Sequence, residues 1–133
     1  MVRITLDVLA GIASHARHVA PIECCGLLAG KDHLIDEYIR TTNIKASEVA
    51  YQVNPIEHIR AMKRLRVRGR SVLGAYHSHP RTAAVPSATD AAEAHYDGDF
   101  LYLIVSLCGE PPEIRGYRLA GRSLEAADFE TVP

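Results

Sequence analysis

The chain has no tryptophan and only two phenylalanines in 133 residues, so its core has to be built from leucine, isoleucine, valine and alanine. Three cysteines, two of them adjacent at Cys24 and Cys25, exclude a disulfide framework, because neighbouring cysteines bridge only with strain and the third stays unpaired. Reduced thiols fit a reducing compartment, and a cytoplasmic location is expected. A formal net charge of −1 leaves no chain-wide electrostatic footprint for nucleic acid or for an anionic membrane. The longest apolar run, Phe100 to Cys108, is about half of what a membrane-spanning helix needs. Asp7 interrupts the apolar residues near the N-terminus, which removes the uninterrupted stretch of a signal peptide. Internal repeats, low-complexity tracts and long Gly/Pro/Ser linkers are also missing, so residues 1–133 read as a single domain.

What is present is an ordinary globular mixture, 47% hydrophobic and 23% charged, patterned as alternating elements. A short strand at Val2 to Ile4 leads to a helix capped by Thr5, with Leu6, Leu9, Ala13, Ala16 and Ala20 near helical spacing and Pro21 as its stop. "CCGLLAG" and "HLIDEYIR" read as a hairpin. After a polar loop, "AYQV" reads as a short strand, and Asn54-Pro55 opens a helix whose buried stripe is Ile56, Ile59, Met62 and Leu65. "SVLGAYHSH" is a strand, "SATDAAEAHY" a helix, "FLYLIVSL" a central strand buried on both faces, and "EIRGYRLA" a half-buried one. "SLEAADFETV" adds a last strand. Helices and strands mix without regular βαβ alternation, which predicts an α/β (α+β) fold around one mixed central sheet flanked by helices.

Chemistry concentrates in "HSHPRTAAVPSATD". His77 and His79 lie two apart on a strand, so period-two alternation sends both imidazoles to the same face. Pro80 lacks a ladder donor and ends the strand, which puts the pair at the rim of the sheet, where a cleft can open. Asp90 falls in the first turn of the following helix, a position the helix dipole favours for a carboxylate. Each residue alone has an ordinary structural explanation, but the conjunction does not. Two histidines and an aspartate form a three-ligand set that leaves a fourth tetrahedral position open, which is what separates catalytic zinc sites from closed structural ones. Iron and manganese also accept imidazole and carboxylate, so residue types alone leave the metal open.

The same stretch resembles the JAMM (MPN+, Mov34/MPN/PAD-1) metalloprotease signature, a His-x-His pair followed after seven residues by Ser-x-x-Asp. All of its positions are met, by His77, His79, Ser87 and Asp90. Upstream, "PIECCGLLAG" is similar to the family's Pro-x-Glu-x-Cys-Gly-Leu-Leu stretch and points to Glu23. The resemblance implies a cytidine-deaminase-like MPN/JAMM fold and one Zn²⁺ per chain held by His77, His79 and Asp90. It further implies that Glu23 takes a proton from the attacking water and delivers it to the leaving amine, while Ser87 steadies the oxyanion. The expected function is zinc-dependent hydrolysis of peptide or isopeptide bonds at the C-terminus of ubiquitin-like or sulfur-carrier (β-grasp) proteins. Only Ala91 to Asp99 separates Asp90 from the next strand, so the insertions by which large deubiquitinases grip ubiquitin are missing, and the chain resembles the compact prokaryotic form. An extended substrate tail could pair with an exposed strand edge.

Three rivals stand beside this reading. A non-catalytic MPN scaffold would be expected to lack part of the ligand set. A non-proteolytic zinc hydrolase of the deaminase kind wants His-x-Glu with Pro-Cys-x-x-Cys, whereas this chain has Pro21-Ile22-Glu23-Cys24-Cys25. A cysteine hydrolase would use Cys24 or Cys25 with His77. Ser78, between the two histidines, faces the other side of its strand and is assigned to packing or hydrogen bonding. The basic stretch Arg60, Lys63, Arg64, Arg66, Arg68 and Arg70 reads as a solvated helix face, with an acidic protein partner as the functional alternative. Either a monomer or a homodimer is compatible with the sequence.

Overall fold

The computed structural model describes residues 1–133 as one mixed sheet with three helices. In chain order the elements are β1 (Arg3–Thr5), α1 (Leu6–Val19), β2 (Cys25–Lys31), β3 (Leu34–Thr41), α2 (Pro55–Val67), β4 (Ser71–His79), α3 (Ala88–Glu93), β5 (Leu101–Ser106), β6 (Glu113–Ala120), β7 (Ser123–Ala126) and β8 (Glu130–Val132). The strand order is β7-β6-β5-β4-β2-β3-β1-β8. β4 and β5 run parallel, as do β1 with β3 and β1 with β8, while the other neighbours are antiparallel. β7 and β8 sit at opposite ends of this order, yet only residues 127–129 join them. A flat sheet of eight strands would put its outer strands about 34 Å apart, and the four steps from Ala126 to Glu130 reach at most about 14 Å. The sheet is therefore strongly curled.

Local chemistry explains the elements. Thr5 Oγ1 accepts the Val8 N–H at 3.3 Å and caps α1, which carries Asp7 in its first turn and Arg17 and His18 in its last, as its dipole favours. Its buried residues are Val8, Ile12, Ala13, His15 and Ala16, a stripe rotated from the expected one, so that Leu6 is exposed. Asn54 Oδ1 accepts from Ile56 and Glu57 at 2.9 and 3.2 Å, with Pro55 opening α2. Contrary to the sequence expectation, α2 buries only Ala61 and Leu65. Ile56, Ile59 and Met62 are 61%, 54% and 44% exposed, because helical spacing marks apolar positions without saying whether anything covers them. "AYQV" forms no strand and contributes one bridge, Val53 opposite Asn43. α3 stops at Glu93, short of the expected Tyr96, and the C-terminal segment supplies two strands rather than one. Arg68 and Arg70 of the basic stretch are not free: they pair with Glu37 and Asp36 of β3. No helix is long and apolar enough to cross a membrane.

The two faces of the sheet have different jobs. Against α1 pack Val2, Ile4, Leu28, Ile35, Tyr76, Leu101, Leu103 and Val105. The other face carries Ala75, Tyr102, Ile104 and Tyr117 around Ala84, and it is here that β4 aims His77 and His79. On the α1 face, Tyr76 lies against Gly26, where any added Cβ would collide with its ring. The Tyr76 hydroxyl meets His15 Nδ1 at 2.8 Å.

His15 is buried, and this burial, with the positive charges of Arg40 and His18, pushes its pKa down from 6.5 to about 4. The unfolded chain thus binds this proton first. The stability due to neutral His15 is complete above about pH 6.5 and is lost as pH falls through 4, about 3 kcal/mol in all. His15→Gln, which keeps a partner for Tyr76 but cannot be protonated there, should flatten the fall of the thermal midpoint between pH 6.5 and 4 relative to wild type.

Candidate metal centre

β4 delivers the first two side chains as alternation requires. His77 Nε2 and His79 Nε2 stand 3.3 Å apart, and Asp90 Oδ2 approaches them at 3.2 and 3.0 Å. Ser87 and Asp90 form a capping box: Ser87 Oγ accepts the Asp90 N–H at 3.0 Å, and the Ser87 N–H donates to Asp90 Oδ2 at 2.9 Å. The cap fixes the carboxylate that is the third member of the cluster, which is how a six-residue helix holds a group in place. All three side chains are buried, and one ligand atom from each lies within 4.8 Å of the others.

A hydrogen bond fixes which nitrogen of His79 faces the cluster. His79 Nδ1 lies 2.8 Å from the Ala83 carbonyl and donates to it, so Nε2 is the nitrogen turned to Asp90, donating to the carboxylate when the ring is protonated and offering its lone pair when the ring is neutral. Burial by itself would raise the Asp90 pKa, but hydrogen bonds from His77 and His79 outweigh it and hold the carboxyl well below its usual range. Burial lowers the pKa of His77 and so favours the neutral, ligating form. Burial alone would lower the His79 pKa, but its hydrogen bonds to Asp90 and the Ala83 carbonyl outweigh this and raise it, so a metal would displace a proton there. Two imidazole nitrogens and an ionised carboxylate are a donor set that fits a zinc-like dication.

Glu23 comes from the segment before β2. The register pairs Cys25 with His77, and two residues further along it sets Glu23 across from His79. The residue is 3% exposed, and Oε1 is buried without a hydrogen-bond partner. Burial pushes its pKa up to about 7 against the influence of His79, with Asp90 adding to the rise. An orphaned carboxylate oxygen beside a three-ligand cluster is in the state to accept a proton from a polarised water. Ser78 does what its place on the opposite face implies, its Oγ accepting the Cys24 N–H at 2.8 Å. Cys24 and Cys25 are buried, and desolvation pushes their thiols up to about 12 and about 11. Neither is a nucleophile at neutral pH.

Two residues escaped the sequence reading. Tyr51 stacks on His77, ring centroids 4.3 Å apart and 18° from parallel. Asn43 is buried and uses its amide in four hydrogen bonds, to the Glu23 and Ala50 carbonyls and from the Lys45 and Gln52 N–H groups. Neither residue lies in a periodic pattern, and the only signal for Tyr51 was an apolar run read as a strand.

With this geometry in view, the family described as prokaryotic homologs of the JAB domain matches residues 5–120. The chain belongs to the prokaryotic JAB family. Among its relatives, a desampylase from Haloferax volcanii is 37% identical over 107 residues, covering 75% of this chain and 76% of that one. A CysO-cysteine peptidase from Mycobacterium tuberculosis is 32% identical over 120 residues, covering 87% and 81%. A solution structure of a protein from Desulfitobacterium hafniense, 29% identical, superposes with a TM-score of 0.90 over 99% of this chain and 93% of that one. For this JAB-family chain, burial of both site-proximal thiols has a simple readout. A thiol reagent should label only the exposed Cys108 rapidly in the native protein and all three cysteines in denaturant, and rapid native labelling of a second thiol would contradict the burial described here.

Proposed function

We propose that the protein is a JAMM-type metallopeptidase that cleaves the bond following the C-terminal tail of a ubiquitin-like or sulfur-carrier protein, with Glu23 as general base and acid. The observation that carries this is the convergence of His77, His79 and Asp90 beside a buried carboxylate with an unpartnered oxygen. Relatives named for cleaving small-protein conjugates support the substrate class. Zn²⁺ is the metal we assign to the three ligands, and when bound it supplies Lewis-acid polarisation of the carbonyl and of water.

The residues divide the remaining work. Glu23 Oε1 takes a proton as the water oxygen bonds to the carbonyl carbon, and it returns that proton to the amine nitrogen as the C–N bond breaks. Ser87 Oγ is already the acceptor in its cap, so its own hydroxyl proton is available for the oxyanion, a contribution of about 10²–10³-fold. Substrate enters along a groove of about 340 Å³ lined by Tyr51, His58, Tyr96, Phe100 and Tyr102, among others. β2, β4 and β5 are each paired on both sides, so a tail cannot add as a strand beside these three, which favours the groove as its path.

Glu23→Gln should keep zinc stoichiometry near wild type while turnover on a carrier-tail amide falls at least about 10²-fold. His77→Ala should lose both metal and activity. Zinc loss in Glu23→Gln, or unchanged turnover, would remove Glu23 from this role.

A further inference from the structure

The segment between β3 and α2, residues 42–54, is the least regular part of the chain, yet it touches both halves of the site. At one end it grips Glu23 through the backbone. The Glu23 N–H donates to the Ser47 carbonyl at 2.9 Å, and Asn43 Nδ2 donates to the Glu23 carbonyl at 3.0 Å. At the other end it lays Tyr51 on His77. One side chain joins these ends. Asn43 Nδ2 also donates to the Ala50 carbonyl at 3.0 Å, and Asn43 Oδ1 accepts the N–H groups of Gln52 and Lys45 at 3.0 and 3.1 Å. Ala50 and Gln52 are the two neighbours of Tyr51 in the chain, so the amide clamps the backbone on both sides of that ring. An asparagine amide has two donor hydrogens and two acceptor lone pairs on its oxygen, and all four are used. Further bonds close the strap, Ile44 N–H to the Gln52 carbonyl at 3.0 Å and Asn54 N–H to the Thr42 carbonyl at 3.2 Å.

The consequence concerns His77. His79 has its Nδ1 fixed by the Ala83 carbonyl, but His77 Nδ1 is buried with no hydrogen-bond partner. The usual device for orienting a ligating imidazole, a hydrogen bond to its far nitrogen, is therefore missing for His77, and the face of Tyr51 takes its place. Flat stacking restricts the tilt of the ring without polarising it.

We propose that Asn43 and Tyr51 are positioning residues that act as one unit, Asn43 locking the 42–54 strap so that Glu23 and the His77 ring are aligned together. The half concerning Glu23 rests on its role as base given above; the half concerning His77 rests only on metal binding. The test measures zinc affinity by competition with a chelating dye, the visible spectrum of the Co²⁺-substituted protein, and kcat and KM on a β-grasp carrier whose tail is amide-linked to a fluorophore. Tyr51→Leu should lower zinc affinity about 10-fold and shift the cobalt absorption, and Tyr51→Phe should restore both. Asn43→Ser should give a weaker zinc defect, with kcat reduced at least about 10-fold and KM within about twofold. Unchanged zinc affinity and cobalt spectrum in Tyr51→Leu would overturn the proposal, as would an Asn43→Ser protein altered in thermal midpoint alone. Glu23→Gln, assayed in parallel, separates the two failures. Full turnover there would remove the base assignment, while the metal readouts would still decide the coupling of Tyr51 to His77.

Discussion

The site depends on one strand register, Cys25 of β2 opposite His77 of β4. That pairing places the segment carrying Glu23 across from His79 and brings together residues more than fifty positions apart in the chain. A slip of one residue would turn His77 and His79 toward α1 and Tyr76 and Ser78 into the cleft. Two devices on the opposite face hold the register. Ser78 Oγ accepts the Cys24 N–H where the ladder ends, and the Tyr76 ring seats on Gly26, a place that only a residue without a side chain leaves open. Packing under the sheet thus sets the chemistry above it.

Collecting His77, His79, Asp90 and Glu23 in the dark of the fold has a free-energy cost, since buried polar groups must be paired or change their protonation. The structure answers this unevenly. Asp90 is held by two imidazoles and a backbone N–H, and His79 by a carbonyl, whereas Glu23 Oε1 and His77 Nδ1 are left without partners. Uneven satisfaction separates the jobs of the two carboxylates. In the function proposed for the site, the paired one stays ionised to hold the metal, and the desolvated one, its pKa pushed up to about 7, takes and gives the proton.

Much of this was legible in the sequence, for reasons that can be named. Alternation on a strand put His77 and His79 on one face, and Ser-x-x-Asp is a capping pattern that fixes Asp90 in a first helical turn; both are local rules, and the structure follows them. Glu23 was visible only through a second motif far upstream, because its meeting with His79 is made by strand pairing. Where local rules fall silent, reading failed. Ile56, Ile59 and Met62 have helical spacing but nothing above them, and the closing strands β7 and β8 depend on a curl of the sheet that no short window contains. Asn43 and Tyr51 act through backbone groups and a ring brought close only by the fold.

The central claim is that two imidazole nitrogens and one carboxylate oxygen hold the metal and leave one position open. X-ray absorption at the zinc edge of the loaded protein tests it most directly. The expected result is four N/O scatterers at about 2.0–2.1 Å, two of them with the multiple-scattering pattern of histidine, and one exchangeable with added anions. A sulfur scatterer at about 2.3 Å, or a closed shell of four protein ligands, would contradict the assignment of His77, His79 and Asp90 as a three-ligand catalytic site.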